Sequence, residues 1–250
     1  MNRSDKDPDA KKSSLEGLRI NRLFTERGIM SRREADQAVK DGRVTINGTV
    51  ADLGARVHEG DEVTLDGKKI KPKQKSQVII AYHKPVGIEC TSDLRVAENI
   101  IDAVAYPERI FPIGRLDKMS EGLILLTNLG DIVNKILRSR YFHEKEYIVW
   151  LNGDITTEQI NQLRNGIELS DGLTRPCKVK RKNARCIHMI LTEGRNRQIR
   201  RMIEALNLRV SKLRRIRIME IELGDLPYGD WRRLSKPEVK QLLQKLNLNI

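Results

Sequence analysis

The spacing of apolar residues predicts a small N-terminal domain made of two helices followed by short strands. Within residues 18–39 apolar positions recur every three or four residues, which is the spacing of amphipathic helices. Ser31 precedes the second of these helices, and Glu34 completes a Ser-x-x-Glu capping box. From residue 44 to 65 the pattern changes to short alternating runs with Asn-Gly and Gly-Asp turns. We expect residues 57–65 to form a strand pair around the Gly-Asp turn.

A longer segment beginning at residue 78 predicts a second, larger domain. Apolar runs predict strands at 78–82, 123–127, 144–151, 177–179 and 187–191, and helical spacing predicts helices near 96–104, 130–137, 157–163, 194–206 and 238–248. Strands and helices are interspersed here without strict alternation. We therefore predict an α+β fold around a mixed, mostly antiparallel β-sheet with flanking helices, rather than a doubly wound parallel sheet.

Composition sets the expected domain boundaries. Residues 1–14 are polar and predict a disordered tail, and residues 71–77 form a linker in a stretch rich in lysine. This leaves residues 15–70 for the first domain and 78–250 for the second. Because residues 1–14 lack the apolar core of a secretory signal, we expect a cytoplasmic protein.

The charge of the chain indicates a polyanionic partner. The sequence contains 47 Lys and Arg against 34 Asp and Glu, which gives a net charge of +13 and a pI near 9.8. Nucleic acid is the partner that such a balance favours. An acidic membrane is the alternative, but no apolar run approaches the roughly 18 residues of a membrane span. The three cysteines and four histidines show no zinc-like spacing, so we expect no metal.

One carboxylate is framed as a reactive group. Asp117 lies between Arg115 and Lys118, after a Pro and a Gly that permit a sharp turn and before an apolar run. A nearby cation favours the ionised form of a carboxyl group, which makes it available as a nucleophile or base. The alternative is an ordinary loop aspartate in a surface ion pair.

A second candidate region is rich in arginine. Residues 194–202 open a predicted helix with an apolar stripe, and nine basic residues lie between 195 and 217 with one acid. This density indicates contact with phosphate, although a basic solvated helix is the alternative. The chain has no Gly-rich nucleotide or dinucleotide motif and no Gly-x-Ser-x-Gly elbow, which disfavours ATPases, Rossmann-type methyltransferases and α/β-hydrolases.

The first domain resembles the S4 type of RNA-binding domain. The resemblance is carried by Ser-Arg-Arg-Glu-Ala-Asp at 31–36, Gly-Arg-Val at 42–44 and Ile-Asn-Gly at 46–48. It implies a basic surface that binds structured RNA by charge and shape. The residues expected on that surface are Arg19, Arg22, Ser31, Arg32, Arg33, Lys40 and Arg43.

The second domain resembles the RNA pseudouridine synthases of the RsuA type, and within them the RluF branch. The shared motifs are Gly-Arg-Leu-Asp at 114–117, Ser-Glu-Gly-Leu at 120–123, Lys-Glu-Tyr at 145–147 and Gly-Arg-Asn-Arg-Gln-Ile-Arg-Arg at 194–201. The resemblance covers roughly residues 18–235. It implies an enzyme that detaches the uracil of a uridine, turns it and rejoins it to the ribose through C5, without a cofactor.

The resemblance also implies roles for individual residues. Asp117 resembles the catalytic aspartate, and Tyr147 resembles the tyrosine that stacks on the target base. Arg200 resembles the basic partner of the aspartate, with Arg197 or Arg201 as alternatives. Arg115 resembles the arginine that enters the RNA where the uridine leaves. The further expected RNA contacts are Lys118, Arg195, Arg197 and Arg201.

The resemblance leaves the substrate open. The RluF branch implies 23S (large-subunit) ribosomal RNA or a pre-ribosomal particle, with a transfer RNA anticodon as a second substrate, and we expect a monomer. Two rival functions remain: a non-catalytic RNA-binding protein of ribosome assembly, and an S4-linked methyltransferase.

Overall fold

The computed structural model describes residues 17–70, 77–137 and 142–248. The predicted tail, residues 1–14, and residues 71–76 of the predicted linker lie outside the described residues. The chain divides into two compact units, residues 1–76 and 77–250.

Within residues 17–70 the first unit contains two helices and six short strands. Their bounds, in chain order, are β1 Leu18–Arg19, α1 Ile20–Glu26, α2 Arg32–Lys40, β2 Val44–Ile46, β3 Thr49–Val50, β4 Arg56–Val57, β5 Val63–Leu65 and β6 Lys68–Lys69. Strands β3, β2, β5 and β6 form one antiparallel sheet in that order, and β1 pairs with β4. A core that includes Phe24, Ala35 and Val44 lies between the helices and the strands.

Local sequence signals account for most of this unit. The predicted capping box is present, because the Glu34 backbone N–H donates to Ser31 Oγ at 3.2 Å and the Ser31 N–H donates to the Glu34 carboxylate at 2.5 Å. Asn47 and Gly48 have φ values of 51° and 82°, as expected for the tight turn between β2 and β3. The predicted strand pair within 57–65 is wrong. Strand β4 pairs with β1, and strand β5 pairs with β2. Val57 and Val63 therefore reach the same core from two different sheets.

The second unit contains five helices and eleven strands within its described residues. Their bounds are β7 Ile79–Lys84, α3 Ile100–Val104, β8 Phe111–Ile113, β9 Glu121–Thr127, α4 Gly130–Leu137, β10 Lys145–Leu151, α5 Thr157–Asn165, β11 Glu168–Leu169, β12 Gly172–Leu173, β13 Lys178–Asn183, β14 Cys186–Leu191, α6 Gln198–Glu204, β15 Val210–Ile218, β16 Ile221–Glu222, β17 Trp231–Arg233 and α7 Lys236–Lys245.

Nine of these strands form one sheet. The main order is β13-β14-β10-β15-β9-β7-β17, with β16 beside β15 and β8 beside β9, while β11 and β12 form a separate hairpin. Strands β9 and β15 run parallel, and the other pairs within the sheet are antiparallel. The prediction of a mixed, mostly antiparallel sheet with flanking helices is confirmed.

Alternating side chains of the central strands feed two cores, one on each face of the sheet. In β7, Ile80 and Tyr82 join the larger core with α3, α5 and α6, whereas Ile79 and Ala81 join the smaller core with α4 and α7. Because both faces of β7 and β9 are covered, all thirteen residues of these strands are buried. The sheet is therefore rigid where the loop between β8 and β9 leaves it.

Two helix starts differ from the predictions. Helix α3 begins at Ile100 rather than near residue 96, because the Asn99 side chain caps it by accepting the Ile101 and Asp102 N–H groups. Helix α6 begins at Gln198 rather than at residue 194. Arg197 precedes it with a left-handed backbone, φ 46°, so residues 194–197 form a loop.

Gly122→Ala should strongly destabilise the second unit. Gly122 has φ 109°, and a Cβ atom there would lie 2.2 Å from the carbonyl oxygen of Arg215 on the parallel neighbour. Overlap with backbone and a strained φ together should lower the free energy of unfolding by roughly 3 kcal/mol or more. Denaturant unfolding measures this change.

Gly130→Ala is the matched control. Nothing lies within 4 Å of the position of its Cβ, so this variant should differ from the wild type by less than about 1 kcal/mol. Equal stability of the two variants would contradict the close approach of β9 and β15.

Candidate active site

The loop between β8 and β9 presents Asp117. Gly114 opens this loop with φ 79°, and the Ser120 N–H donates to the Asp117 carbonyl at 2.9 Å, which closes a turn around the carboxylate. Leu116 is buried beneath the loop, and its N–H donates to Cys90 Sγ at 3.3 Å. The Asp117 side chain itself remains about 30% exposed. The turn thus anchors its apolar neighbour and leaves the acid accessible.

Arg200 holds this loop from within the protein. Its Nη2 donates to the Met119 carbonyl at 2.8 Å and to Ser120 Oγ at 3.0 Å. Its Nε lies 3.7 Å from Asp117 Oδ2 and has no hydrogen-bond partner among the described residues. Burial lowers the pKa of Arg200, and the Asp117 charge opposes that shift. The guanidinium therefore fixes the turn by hydrogen bonds and faces the carboxylate with its remaining N–H.

The arrangement distinguishes the three arginines offered by the sequence as partners of Asp117. Arg200 contacts it, whereas Arg201 forms a two-pronged ion pair with Asp171 at 2.8 and 3.1 Å. Arg197 projects into the cavity described below and lies close enough to Arg200 for the two like charges to interact. Helical spacing explains the difference, because Arg200 and Arg201 point to different sides of α6.

A second buried cation supports the same loop. Lys84, at the end of β7, is fully buried, and its Nζ donates to the carbonyls of Pro85 at 2.7 Å and Ile88 at 2.8 Å. A longer contact of 3.5 Å reaches the carbonyl of Lys118. Burial lowers the pKa of Lys84 to about 8, while the Asp117 charge acts in the opposite direction. Lys84 was not among the predicted site residues, although the sequence shows a lysine at the end of a predicted apolar strand.

Tyr147 lies in the middle of β10, across the cavity from the loop. Its side chain is 9% exposed and belongs to the larger core, with part of the ring lining the cavity. Lys145 precedes it by two positions, so both side chains leave the strand on the same face. Burial lowers the pKa of Lys145 to about 8, and the positive charge of Arg215 adds to the shift. Lys145 was also missed as a site residue, although its spacing from Tyr147 was visible.

One open cavity of about 840 Å³ joins these elements. Asp117, Tyr147 and Arg200 all line it, although they come from a loop, a strand and a helix that are distant in sequence. The predicted RNA-contacting residues at its wall are Arg115, Lys118, Arg195 and Arg197. The structure thus brings together the three predicted catalytic residues and four of the predicted RNA contacts of this unit, and Arg201 lies outside the lining.

The cationic side chains at the cavity differ in how much of their charge is already engaged. Among the described residues no hydrogen bond or ion pair engages the guanidinium groups of Arg115 and Arg197. Lys118 forms a solvent-exposed ion pair with Glu98 at 3.3 Å. Exposed pairs of this kind contribute little stability and are easily exchanged for another anion.

Arg195 is fully engaged within the protein. Its Nη1 donates to the carbonyl of Gly172 at 2.7 Å and its Nη2 to that of Leu173 at 2.6 Å, which ties the β11–β12 hairpin to the loop before α6. Its Nε approaches the buried carboxylate of Glu193 at 3.4 Å, and Glu193 also accepts from Gln198 Nε2 at 2.7 Å. Arg195 therefore acts as a structural clamp, which the arginine-rich sequence did not distinguish from an RNA contact.

The predicted contacts of the first unit fall into two groups. Arg19, which lies on β1 rather than on a helix, is exposed, as are Arg32, Arg33 and Lys40. The others have internal partners: Arg22 pairs with Glu26, Arg43 forms two hydrogen bonds to Asp66, and Ser31 caps α2.

The described residues contain neither a candidate membrane-spanning helix nor a candidate metal-binding cluster. No helix in 17–70, 77–137 or 142–248 is long and apolar enough to cross a membrane. Within the same ranges no group of three or more His, Cys, Asp or Glu side chains is arranged to hold a metal ion.

Comparison with known proteins identifies both units. The family model for RNA pseudouridylate synthase matches residues 78–205, and the model for the S4 domain matches residues 19–63. The chain is 45% identical to the dual-specificity RNA pseudouridine synthase RluF of Escherichia coli (strain K12) over 228 residues, which cover 91% of this chain and 79% of the relative.

Two further matches agree with these. The chain is 36% identical over 233 residues to the ribosomal large subunit pseudouridine synthase B of Bacillus subtilis (strain 168), covering 90% of this chain and 95% of that protein. A crystal structure of a pseudouridylate synthase superimposes with a TM-score of 0.66 and 26% identity, covering 90% of this chain and all of that one. The resemblances to S4 domains and to the RluF branch are thereby confirmed, and the chain belongs to the RNA pseudouridine synthases, enzymes that isomerise uridine to pseudouridine within RNA.

Proposed function

We propose that this enzyme modifies a uridine of 23S ribosomal RNA and uses Asp117 as its catalytic carboxylate. The observation that carries the proposal is the 3.7 Å approach of Arg200 Nε to Asp117 at the wall of an open cavity. This arrangement holds an ionised acid in a defined position while leaving it accessible to a nucleotide.

The reaction needs only groups that the cavity contains. The bond between ribose C1′ and uracil N1 breaks, the uracil turns, and C1′ bonds to C5. The C5 position loses its proton and N1 gains one, so the isomerisation is redox-neutral and consumes no co-reactant. Asp117 starts the reaction by attacking or deprotonating the sugar or the base. Tyr147 stacks on the base, where it is placed to take the C5 proton; stacking on an aromatic ring is worth about 1–3 kcal/mol.

The target uridine must leave its stack before Asp117 can reach it. Extruding a nucleotide costs a few kcal/mol. Arg115 lies two residues before Asp117, lines the cavity, and has no internal partner among the described residues. Its guanidinium can occupy the space that the uridine vacates. Arg197, which also has no internal partner within residues 17–70, 77–137 and 142–248, then contacts the phosphate backbone of the extruded nucleotide.

The names of the relatives support the substrate class. One relative is a ribosomal large subunit pseudouridine synthase and the other a dual-specificity RNA pseudouridine synthase. We therefore propose large-subunit RNA, free or in a pre-ribosomal particle, as the main substrate and a transfer RNA anticodon as the second. A non-catalytic role in ribosome assembly is the alternative that the activity measurement below separates.

The arrangement of the chain completes the proposal. Residues 15–70 form the S4-type RNA-binding domain, residues 71–77 the basic linker and residues 78–250 the catalytic domain, which is consistent with the family matches and with the division near residue 76. We propose a monomer, since Asp117, Tyr147 and Arg200 of one chain all line the cavity and the reaction needs no second subunit. It acts in the cytoplasm, where ribosomal RNA is transcribed and assembled.

Asp117→Asn should abolish isomerisation while leaving RNA binding intact. The amide keeps the size of the side chain but removes the charge, so the rate should fall by at least about 10³-fold. Release of tritium from C5-labelled uridine in 23S RNA measures the rate, and filter binding measures affinity. Asp225→Asn, an exposed aspartate away from the cavity, is the matched control and should behave as wild type. Normal turnover by the Asp117 variant would remove this residue from the mechanism.

Arg195→Ala and Arg197→Ala should separate structure from RNA binding, because both remove one charge from the same loop. Arg195→Ala breaks the clamp on the hairpin and should lower the free energy of unfolding by about 1–3 kcal/mol. Arg197→Ala should leave stability unchanged and weaken RNA binding. Denaturant unfolding and filter binding distinguish the two, and the opposite assignment would contradict the contacts described here.

Pseudouridine mapping should identify the substrate. In cells lacking the gene, one or a few positions in 23S RNA should lose the modification, and complementation with wild type but not Asp117→Asn should restore them. A transfer RNA anticodon position should change in parallel. If neither RNA differs, the proposed substrate class is wrong.

A further inference from the structure

In the part of the chain that the structure describes, no helix packs on one face of strands β10, β13 and β14. On the side of the smaller core, buried residues come from β7, β9 and β15 together with α4 and α7. Within the described residues that core includes none from β10, β13 or β14. Helices α5 and α6 pack on the opposite side with the larger core, and the side chains of β10 and β14 that line the cavity are Lys145, Tyr147 and Leu191, which alternate with those of this face. The four strands β13-β14-β10-β15 therefore present a second surface, about 15 Å wide at the usual strand spacing.

Strand register defines the side chains on this surface. Lys180 is opposite His188, His188 is opposite Ile148, and Ile148 is opposite Arg214. In the neighbouring rows the paired positions are Lys178 with Ile190, Ile190 with Glu146, Glu146 with Arg217, Cys186 with Trp150, and Trp150 with Lys212. We call this set of side chains the open sheet face.

The open sheet face carries more positive than negative charge. Its basic residues are Lys178, Lys180, Lys182, Lys212, Arg214 and Arg217, and the carboxylates that contact them are Glu121, Glu144 and Glu146. Lys182 belongs to this set because its charge acts on Cys186. Each of the three carboxylates is shared between two basic groups. Internal pairing therefore leaves an excess of cations.

Two of these lysines have no internal partner in the part of the chain that the structure describes. Lys180 and Lys182 are exposed on the edge strand β13. Lys178 and Lys180 are alternate residues on one face, about 6.6 Å apart, which is close to the spacing of successive phosphates along an RNA strand. Arg181 points the other way, with its guanidinium 3.5 Å from Thr157 Oγ1 of α5. Lys182 lies at the register shift between Arg181 and Asn183, near Cys186, and extends the cationic edge formed by Lys178 and Lys180.

Trp150 fixes the other half of the face. The Lys212 Nζ and the Arg214 guanidinium lie 5.4 and 5.8 Å from the centre of its ring, within the range of cation–π contacts. Glu121 holds the same two cations at 3.2 and 2.5 Å. Cations held in this way lose little further side-chain entropy when an anion binds.

We propose that the open sheet face binds the phosphate backbone of a segment of the substrate RNA distant from the target uridine. The inference rests on the proposed function, since it assumes an RNA large enough to reach both sides of the sheet. A cationic surface with exposed lysines along its edge strand matches a polyanionic strand. An acidic protein partner fits less well, because Ile148 and Cys186 are buried and the exposed side chains among the described residues of the face are lysines: Lys178, Lys180, Lys182 and Lys212.

The test compares two charge reversals of equal size. Lys180→Glu/Lys182→Glu alters the open sheet face. Lys236→Glu/Lys240→Glu, at exposed positions of α7, makes the same change in net charge elsewhere in the second unit. Affinities of both variants are measured over a range of salt concentrations, for a long 23S RNA fragment and for a minimal stem-loop that contains the target uridine.

The Lys180/Lys182 variant should bind the long fragment about tenfold or more weakly than the control variant, and its salt slope should fall by about 1.4–1.8, the loss of two phosphate contacts. On the stem-loop the two variants should bind alike and turn over with the same kcat. Equal affinities for the long fragment, or an equal loss on both RNAs, would overturn the proposal, and binding on this face would then involve a protein or nothing at all.

A fluorescence measurement locates the contact. The chain has two tryptophans, so Trp231→Phe leaves Trp150 as the single indole. Long RNA should change its emission reversibly with salt, and the stem-loop should not. If the fluorescence emission of Trp150 does not change when the long fragment is added, binding at this face is contradicted.

These outcomes are independent of the proposed function. Isomerisation of the long fragment by wild type tests the function, and the comparison of the two charge variants tests the surface. If wild type isomerises the RNA while the variants bind alike, only the surface proposal fails. If wild type leaves the RNA unmodified, the proposed function fails whatever the binding shows.

Discussion

Three buried cations surround the loop that carries Asp117, and the cost of burying them organises the site. A charge removed from water must find hydrogen bonds or an opposite charge, since its desolvation costs several kcal/mol. Arg200 and Arg215 donate to the main-chain carbonyls of Met119 and Leu123, and Lys84 donates to those of Pro85 and Ile88, with a longer contact to that of Lys118. The bonds from Arg200 and Arg215 fix the backbone that follows Asp117. Within the described residues Asp117 is the carboxylate that forms an ion pair with Arg200, so electrostatics and backbone position reinforce each other.

The same reasoning separates the arginines of this chain by what they do. Arg195, Arg201 and Arg217 have their guanidinium groups engaged by carbonyls or carboxylates, so an RNA would have to displace existing bonds to use them. Arg115 and Arg197 line the cavity without such engagement among the described residues. A high density of basic residues therefore combines two functions: holding a twisted sheet and its loops together, and leaving a few cations available to phosphate.

The two ends of the central sheet differ in how their faces are covered. Where both faces of β7 and β9 are covered by helices, the strands are entirely buried and support the active-site loop. Where β10, β13 and β14 extend beyond the smaller core, one face supports Tyr147 and the cavity while the other stays open and cationic. The same strands therefore line the cavity on one side and, in our proposal, bind a distant segment of the RNA on the other.

Local sequence signals were enough to predict most of the helices and strands and the enzyme family. Capping signals, the Asn-Gly turn and the apolar periodicities are local, so the helix at Ser31, the turn at Asn47 and the central strands could be predicted. The motifs around Asp117, Tyr147 and Arg200 were sufficient for the family. Tertiary structure decided which arginine faces Asp117, that Arg195 clamps a hairpin, and that β4 pairs with β1, because these depend on contacts between residues far apart in the chain. A basic side chain has the same local signal whether it meets a carbonyl, a carboxylate or solvent, and only the folded chain selects among them.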